Sequence, residues 1–163
     1  MILDSRNEFA DAVALNTGAA GTYLIGSQID LGALNMAGVN GGLGYGDQLY
    51  LVINVDTGIN AGGAGTLQFQ LASDDTAAIA TNGTATVLAN SPVLTTSTTS
   101  GNAGGALAAG KFLWVVEIPM LPESERYLGI LQVTGTSAIS AGKINAFLTA
   151  DPGVVKHFPD AIN

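Results

Sequence analysis

At 163 residues the chain has the length of one domain, and a domain of that size can bury about 68–70% of the surface that its unfolded chain exposes. Hydrophobic residues make up 47% of it and charged residues only 11%, which excludes a disordered polyelectrolyte and leaves a surface built largely from Thr, Ser, Asn, Gln and small side chains. With 13 acidic against 5 basic residues the chain lacks the positive footprint that a phosphate backbone demands, so no nucleic-acid partner is expected; with no cysteine, disulfides, thiolate metal sites and cysteine nucleophiles are excluded.

The opening MILDSRNEFADA places Asp4, Arg6 and Glu8 where a signal peptide needs an uninterrupted apolar stretch, and no run approaches the about 20 residues of a membrane span. A soluble protein without a secretory signal or a membrane partner is expected. Ser5 followed by Glu8 matches a capping box, so residues 4–15 read either as a short helix or as an ordered arm. Residues 23–31 are strand-like. Residues 32–46 (GALNMAGVNGGLGYG) form a long glycine-rich loop, and glycine permits backbone paths that other residues resist. Its GLGYG is followed by a strand, where phosphate binding needs a helix N-terminus, so it is not read as a nucleotide site.

The next strand, residues 49–55 (LYLVINV), puts Leu49, Leu51, Ile53 and Val55 on one face, and Asp56, Thr57 and Gly58 are expected to end it. Residues 66–71 (TLQFQL) alternate Leu67, Phe69 and Leu71 with Thr66, Gln68 and Gln70, the cleanest inside–outside strand of the chain. Ser73, Asp74 and Asp75 stop it. A weaker strand at 84–89 precedes Ser91-Pro92, which biases the chain towards a turn or a strand start before Val93 and Leu94. Residues 95–110 (TTSTTSGNAGGALAAG) are the lowest-complexity segment, an exposed loop or flexible tip whose nature composition does not decide. Residues 111–118 give a strand with Phe112, Trp114, Val116 and Ile118 on one face, and Trp114 reads as core.

In residues 125–151 (ERYLGILQVTGTSAISAGKINAFLTAD) two strands stand out. The first, 126–134, is apolar on both faces, with Leu128 and Ile130 on one side and Leu131 and Val133 on the other, as suits a strand covered on both sides. The second alternates Ile144, Ala146 and Leu148 with Lys143, Asn145, Phe147 and Thr149. Gly135, Thr136, Ser137, Ser140 and Gly142 supply the small polar punctuation of a hairpin between them. Seven to eight short strands with no convincing long helix predict an all-β fold, an antiparallel, jelly-roll-like β-sandwich in one domain, with an N-terminal arm over about residues 1–20 and a C-terminal tail over about 152–163.

Chemistry is thin. The only histidine, His157, lies in the tail, so neither a Ser-His-Asp device nor a multi-histidine metal site can be assembled. Asp47, Asp56, Asp74 and Asp75 offer oxygen ligands for calcium, but such aspartates more often simply end strands. Glu117, Glu123, Glu125 and the same aspartates are the carboxylates available to a glycosidase, yet an aromatic content of 6% is small for stacking sugar rings. Asn82-Gly83-Thr84 matches a glycosylation sequon, read as coincidence without a secretory signal, and Arg126 beside Glu123 and Glu125 reads as a solvated strand entrance. No catalytic residue, cofactor or metal is assigned, and an enzyme is not expected.

Three segments, MILDSRNEFADA, DQLYLVINVDTG with the following TLQFQLASDD, and ERYLGILQVTGTSAISAGKINAFLTAD, occur in an order that resembles the capsid cement proteins of tailed bacteriophages, of the Bordetella-phage type. The chain departs from that pattern in its longer 32–46 and 95–110 segments. The resemblance implies a structural virion protein made in the bacterial host cytoplasm, placed on the outer surface of the icosahedral head and clamping neighbouring major capsid subunits against internal pressure. It further implies a symmetric homo-oligomer, for which a dimer is expected before a trimer because two-fold oligomers are the commonest. Apolar residues in terminal segments need a cover, so Ile2, Leu3, Arg6 and Phe9 of the arm and Val154, Val155 and Phe158 of the tail are the candidate capsid or intersubunit contacts. The competing expectations are that both ends pack only on their own sandwich, or that the two long loops make a carbohydrate- or host-receptor-binding module.

Overall fold

The computed structural model describes residues 7–31, 48–118 and 125–155, the side chains of Val154 and Val155 excepted. Nine strands run through them: β1 (Glu8–Ala14), β2 (Gly21–Asp30), β3 (Tyr50–Ala61), β4 (Gly65–Asp74), β5 (Thr86–Asn90), β6 (Leu94–Thr96), β7 (Phe112–Glu117), β8 (Tyr127–Gly135) and β9 (Ile139–Thr149). A 3-10 turn, Pro152–Val155, follows. One sheet has the order β1-β9-β3-β7 and the other β2-β8-β4-β5, with β6 also on β4, and every pairing is antiparallel.

The pairs β1–β9, β2–β8, β3–β7 and β4–β5/β6 are nested. The chain is one long hairpin with its tip between β4 and β5, rolled so that successive pairs fall alternately in the two sheets, and β9–β3 and β8–β4 contacts close the roll. This is the jelly roll expected from the alternation.

The inward side chains supply the core: Leu51, Ile53 and Val55 of β3, Leu67, Phe69 and Leu71 of β4, Leu128 and Ile130 of β8, and Ile144, Ala146 and Leu148 of β9. Trp114 joins them, as expected. Leu131 faces the other way and is buried with Ala72 and Ile79 beneath the β4–β5 connection, so β8 is covered on both faces. Gly129 makes room for that cover, because a Cβ there would overlap Ile79 Cδ1.

Four local expectations change. Residues 8–14 form a strand where a helix or an arm is expected, since Phe9 and Ala10 find burial in the core while β1 pairs with β9. The 136–138 connection is no hairpin but a crossing from one sheet to the other, because β8 pairs with β2 and β4 whereas β9 pairs with β1 and β3. The third strand does not end at Asp56; β9 continues to pair with it as far as Ala61↔Ile139, through register shifts after Val55, Thr57 and Asn60. Finally, an irregularity between Ile53 and Asn54 places Asn54 opposite Phe112, so Leu113 and Trp114 both turn inward and Phe112 is left at the surface.

Candidate interaction surfaces

The 97–111 segment, low in complexity, is built into the sheet edge beyond β7. Ile59 N–H donates to Leu107 O (3.0 Å), Ala61 N–H to Ser97 O (2.9 Å), Gly110 N–H to Val55 O (2.8 Å) and Val55 N–H to Lys111 O (2.8 Å). Ser100 Oγ donates to Ile59 O (2.8 Å), and Gly101 N–H to Asn60 Oδ1 (2.8 Å). Backbone lies directly on backbone: a Cβ at Gly58 would overlap Gly101 O, and one at Gly101 would overlap Ile59 N. Leu107, 1% exposed, anchors the segment in the core. The loop therefore replaces a strand along the second half of β3 and satisfies groups that would otherwise be buried without partners.

The opposite side of the sandwich, where β1 packs along β2, is closed by comparable devices. Gly26 has φ 72°, and a Cβ there would overlap the Phe9 carbonyl oxygen, so the two strands cross in direct contact. Ala12 takes φ 48°, and its N–H leaves the ladder to donate to Asn145 Oδ1 (2.6 Å), whose Nδ2 donates in turn to Asn54 Oδ1 (3.0 Å). Buried Gln132 grips the β1–β2 connection by accepting from Asn16 N–H (2.8 Å) and donating to Asn16 O (2.9 Å).

The four large hydrophobic side chains exposed among the described residues are Val87, Val93, Phe112 and Val115. All four lie on β5, β7 or the β5–β6 connection, the strands farthest from β1 and β2 in their sheets. Val93, 60% exposed, and Val115, 47% exposed, are the most open of them. The four do not share a face: Val87 pairs with Ala72 on the outer side of one sheet, and Val115 pairs with Val52 on the outer side of the other, with Lys111 and Glu117 at the ends of β7.

The carboxylates offered by the sequence are dispersed. Asp74 accepts from Thr76 N–H (3.0 Å) and Ala80 N–H (2.9 Å), folding the start of the β4–β5 connection, and these bonds hold its pKa below the ordinary value. Glu117 accepts from Gln48 Nε2 at the end of β7, while Glu125 accepts from Thr86 Oγ1 in the other sheet, so the two share no site. Arg126 makes a bidentate pair with Asp30 (2.9 and 2.8 Å) and stacks over Tyr127, a partner that the neighbouring Glu123 and Glu125 did not suggest. Among the described residues no group of three or more His, Asp or Glu side chains is arranged to hold a metal ion, and no helix is long and apolar enough to cross a membrane.

Of the candidate contact residues, Phe9 is 1% exposed inside the sandwich core, so its side chain is committed there. Val154 and Val155 lie in the 3-10 turn after β9, whose entrance is fixed by Gly153 N–H on Asp151 Oδ1 (2.8 Å). Ile2, Leu3, Arg6 and Phe158 lie outside the described residues, as do Asp47, Glu123 and His157. Val87, Val93 and Val115 were not singled out by sequence reasoning, because a valine beside or within a strand reads as core.

No curated protein matches the chain. A family model does, Bbp16, over residues 9–148, from the core phenylalanine of β1 to the penultimate residue of β9. With the match spanning nearly the whole jelly roll, the chain belongs to the Bbp16 family, which carries the name of a Bordetella phage protein.

Proposed function

We propose that this chain is a capsid cement protein: a structural, non-enzymatic component of a phage head that binds its outer surface and ties neighbouring major capsid subunits together. The observation that carries the reading is family membership across residues 9–148, which takes in the central and closing segments on which the resemblance to cement proteins rests. The structure supplies suitable means. A closed sandwich with backbone-filled edges is stiff, and the exposed Val87, Val93 and Val115 offer apolar area for contact. A standard interface buries about 1,200–2,000 Å², and repetition over a shell compounds modest affinities. In this reading the chain acts as a two-fold oligomer, and Ile2, Leu3, Arg6, Val154, Val155 and Phe158 extend its reach.

The test is binding of the purified chain to assembled heads of the phage that encodes it, at a copy number near that of the major shell subunit. Val93→Asp and Val115→Asp, with unchanged melting, should weaken occupancy by about tenfold each. A folded wild-type chain that does not bind heads would overturn the proposal.

A further inference from the structure

The β4–β5 connection carries chemistry that a structural role leaves unused. Asn82, Gly83 and Thr84 are all exposed. Gly83 has φ 91°, and nothing lies within 4 Å of where its Cβ would be. Asn82 Oδ1 accepts two hydrogen bonds, from Thr84 N–H at 3.1 Å and from Thr84 Oγ1 at 2.7 Å. Two donors on one amide oxygen are the arrangement that stabilises negative charge when the amide carbon is attacked. The neighbouring nucleophile is the Gly83 backbone nitrogen, unobstructed by a side chain.

We propose that Asn82-Gly83 is a self-modifying site, at which the folded loop promotes deamidation of Asn82. The Gly83 nitrogen, losing its proton to solvent base, bonds to Asn82 Cγ. Charge develops on Oδ1 between the two Thr84 donors, the Cγ–Nδ2 bond breaks, and Nδ2 leaves as ammonia after taking a proton from solvent. The cyclic imide left behind is opened by water at either carbonyl, giving aspartate or its β-linked isomer, with no change of oxidation state. Either product adds a negative charge to a chain of formal net charge -8. The β-linked product also lengthens the main chain of the segment whose Ile79 covers Gly129 and Leu131. Asn102, equally exposed but followed by Ala103, lacks the unhindered nucleophile and serves as the internal control.

The experiment incubates the intact protein at mildly alkaline pH and follows Asn82 and Asn102 by peptide mapping, with enzymatic methyl labelling of the β-linked product. The same protein unfolded in urea runs in parallel. Conversion of Asn82 in the folded chain at least as fast as in the unfolded one, with Asn102 intact, is expected. Slower conversion in the folded chain overturns the proposal. Thr84→Val, which removes the hydroxyl donor but keeps the N–H, should slow the folded-state reaction about fivefold, the rate equivalent of one hydrogen bond. An unchanged rate in that variant would show that the fold does not promote the step.

Discussion

Leu107→Ala tests whether the 97–111 segment is part of the fold or an appendage to it. Leu107 is the apolar anchor of a stretch otherwise made of Ser, Thr, Asn, Ala and Gly with Lys111 at its end, and it is packed within the main core. Truncating a buried leucine removes its transfer free energy and leaves a cavity, together about 2–5 kcal/mol. Collapse of the loop into the cavity is restricted by the Gly58–Gly101 contact and by the hydrogen bonds on Ile59, so the middle of that range, about 3 kcal/mol, is expected. For a domain of this length such a loss corresponds to a fall in Tm of roughly 6–12 °C. Trp114, the single tryptophan, is buried on the adjoining strand and reports unfolding by fluorescence in urea. Protein concentration is held fixed so that any self-association cancels. Asn102→Ala in the same segment, at an exposed position, should stay within about 0.5 kcal/mol of wild type. A Leu107→Ala cost inside that same narrow band would refute the claim that the segment belongs to the core.

Gly26→Ala should cost at least about 1–3 kcal/mol, read as a drop in urea midpoint, because it forces a side chain into positive φ and into the Phe9 carbonyl. Gln132→Ala leaves the N–H and carbonyl of Asn16 without their partners, and a loss of about 2–3 kcal/mol in the same assay is expected. Arg126→Ala should change stability by less than about 1 kcal/mol, since its pair with Asp30 is largely solvated. Two carboxylates give opposite pH signatures. Asp74 is held below its ordinary 3.8 by the Ala80 and Thr76 N–H groups, so its contribution is present above that pH and is lost as pH falls through the lower folded value; Asp74→Asn should flatten that acid limb of the urea midpoint. Glu8 is raised above 4.5 by burial and then by Asp11, so its contribution is full below 4.5 and is lost as pH rises through the higher folded value; Glu8→Gln should remove that decline.

The parts of the fold legible in the sequence were those in which one face is apolar over several alternations. Leu67, Phe69 and Leu71 in β4 and Ile144, Ala146 and Leu148 in β9 announce their strands, and the apolar doubling of β8 announces its second cover. What the sequence hides is set by contacts distant along the chain. β1 is short, rich in alanine and bulged at Ala12, so its period-2 signal is broken where Asn145 takes over its N–H. Phe112 is displaced from the inward row by an irregularity that no local pattern marks. A three-residue connection between strands looks the same whether it closes a hairpin or crosses between sheets. The candidate surfaces were less legible still: Gly58 reads as a strand end and Gly101 as part of a loop or tip when both permit backbone contact, and the surface valines carry the same signal as buried ones.

The nesting of the strands has a bearing on how the chain is made. Its outermost pair joins groups 133 residues apart, from Ala12 to Asn145, while the tip pair β4–β5 closes over a short stretch. At roughly 5–20 residues per second of synthesis, the first strand to leave the ribosome waits about 7–27 s for the last. In that interval Phe9 and Ala10 have no partner strand, and β3 lacks the neighbour that covers its side towards β9. Closure of the longest loop also carries the largest entropic cost. The nascent jelly roll is therefore expected to zip from its tip outwards, with β1 and β9 meeting last, so that the seam between the two ends of the chain is the final part of the molecule to form and the first to open.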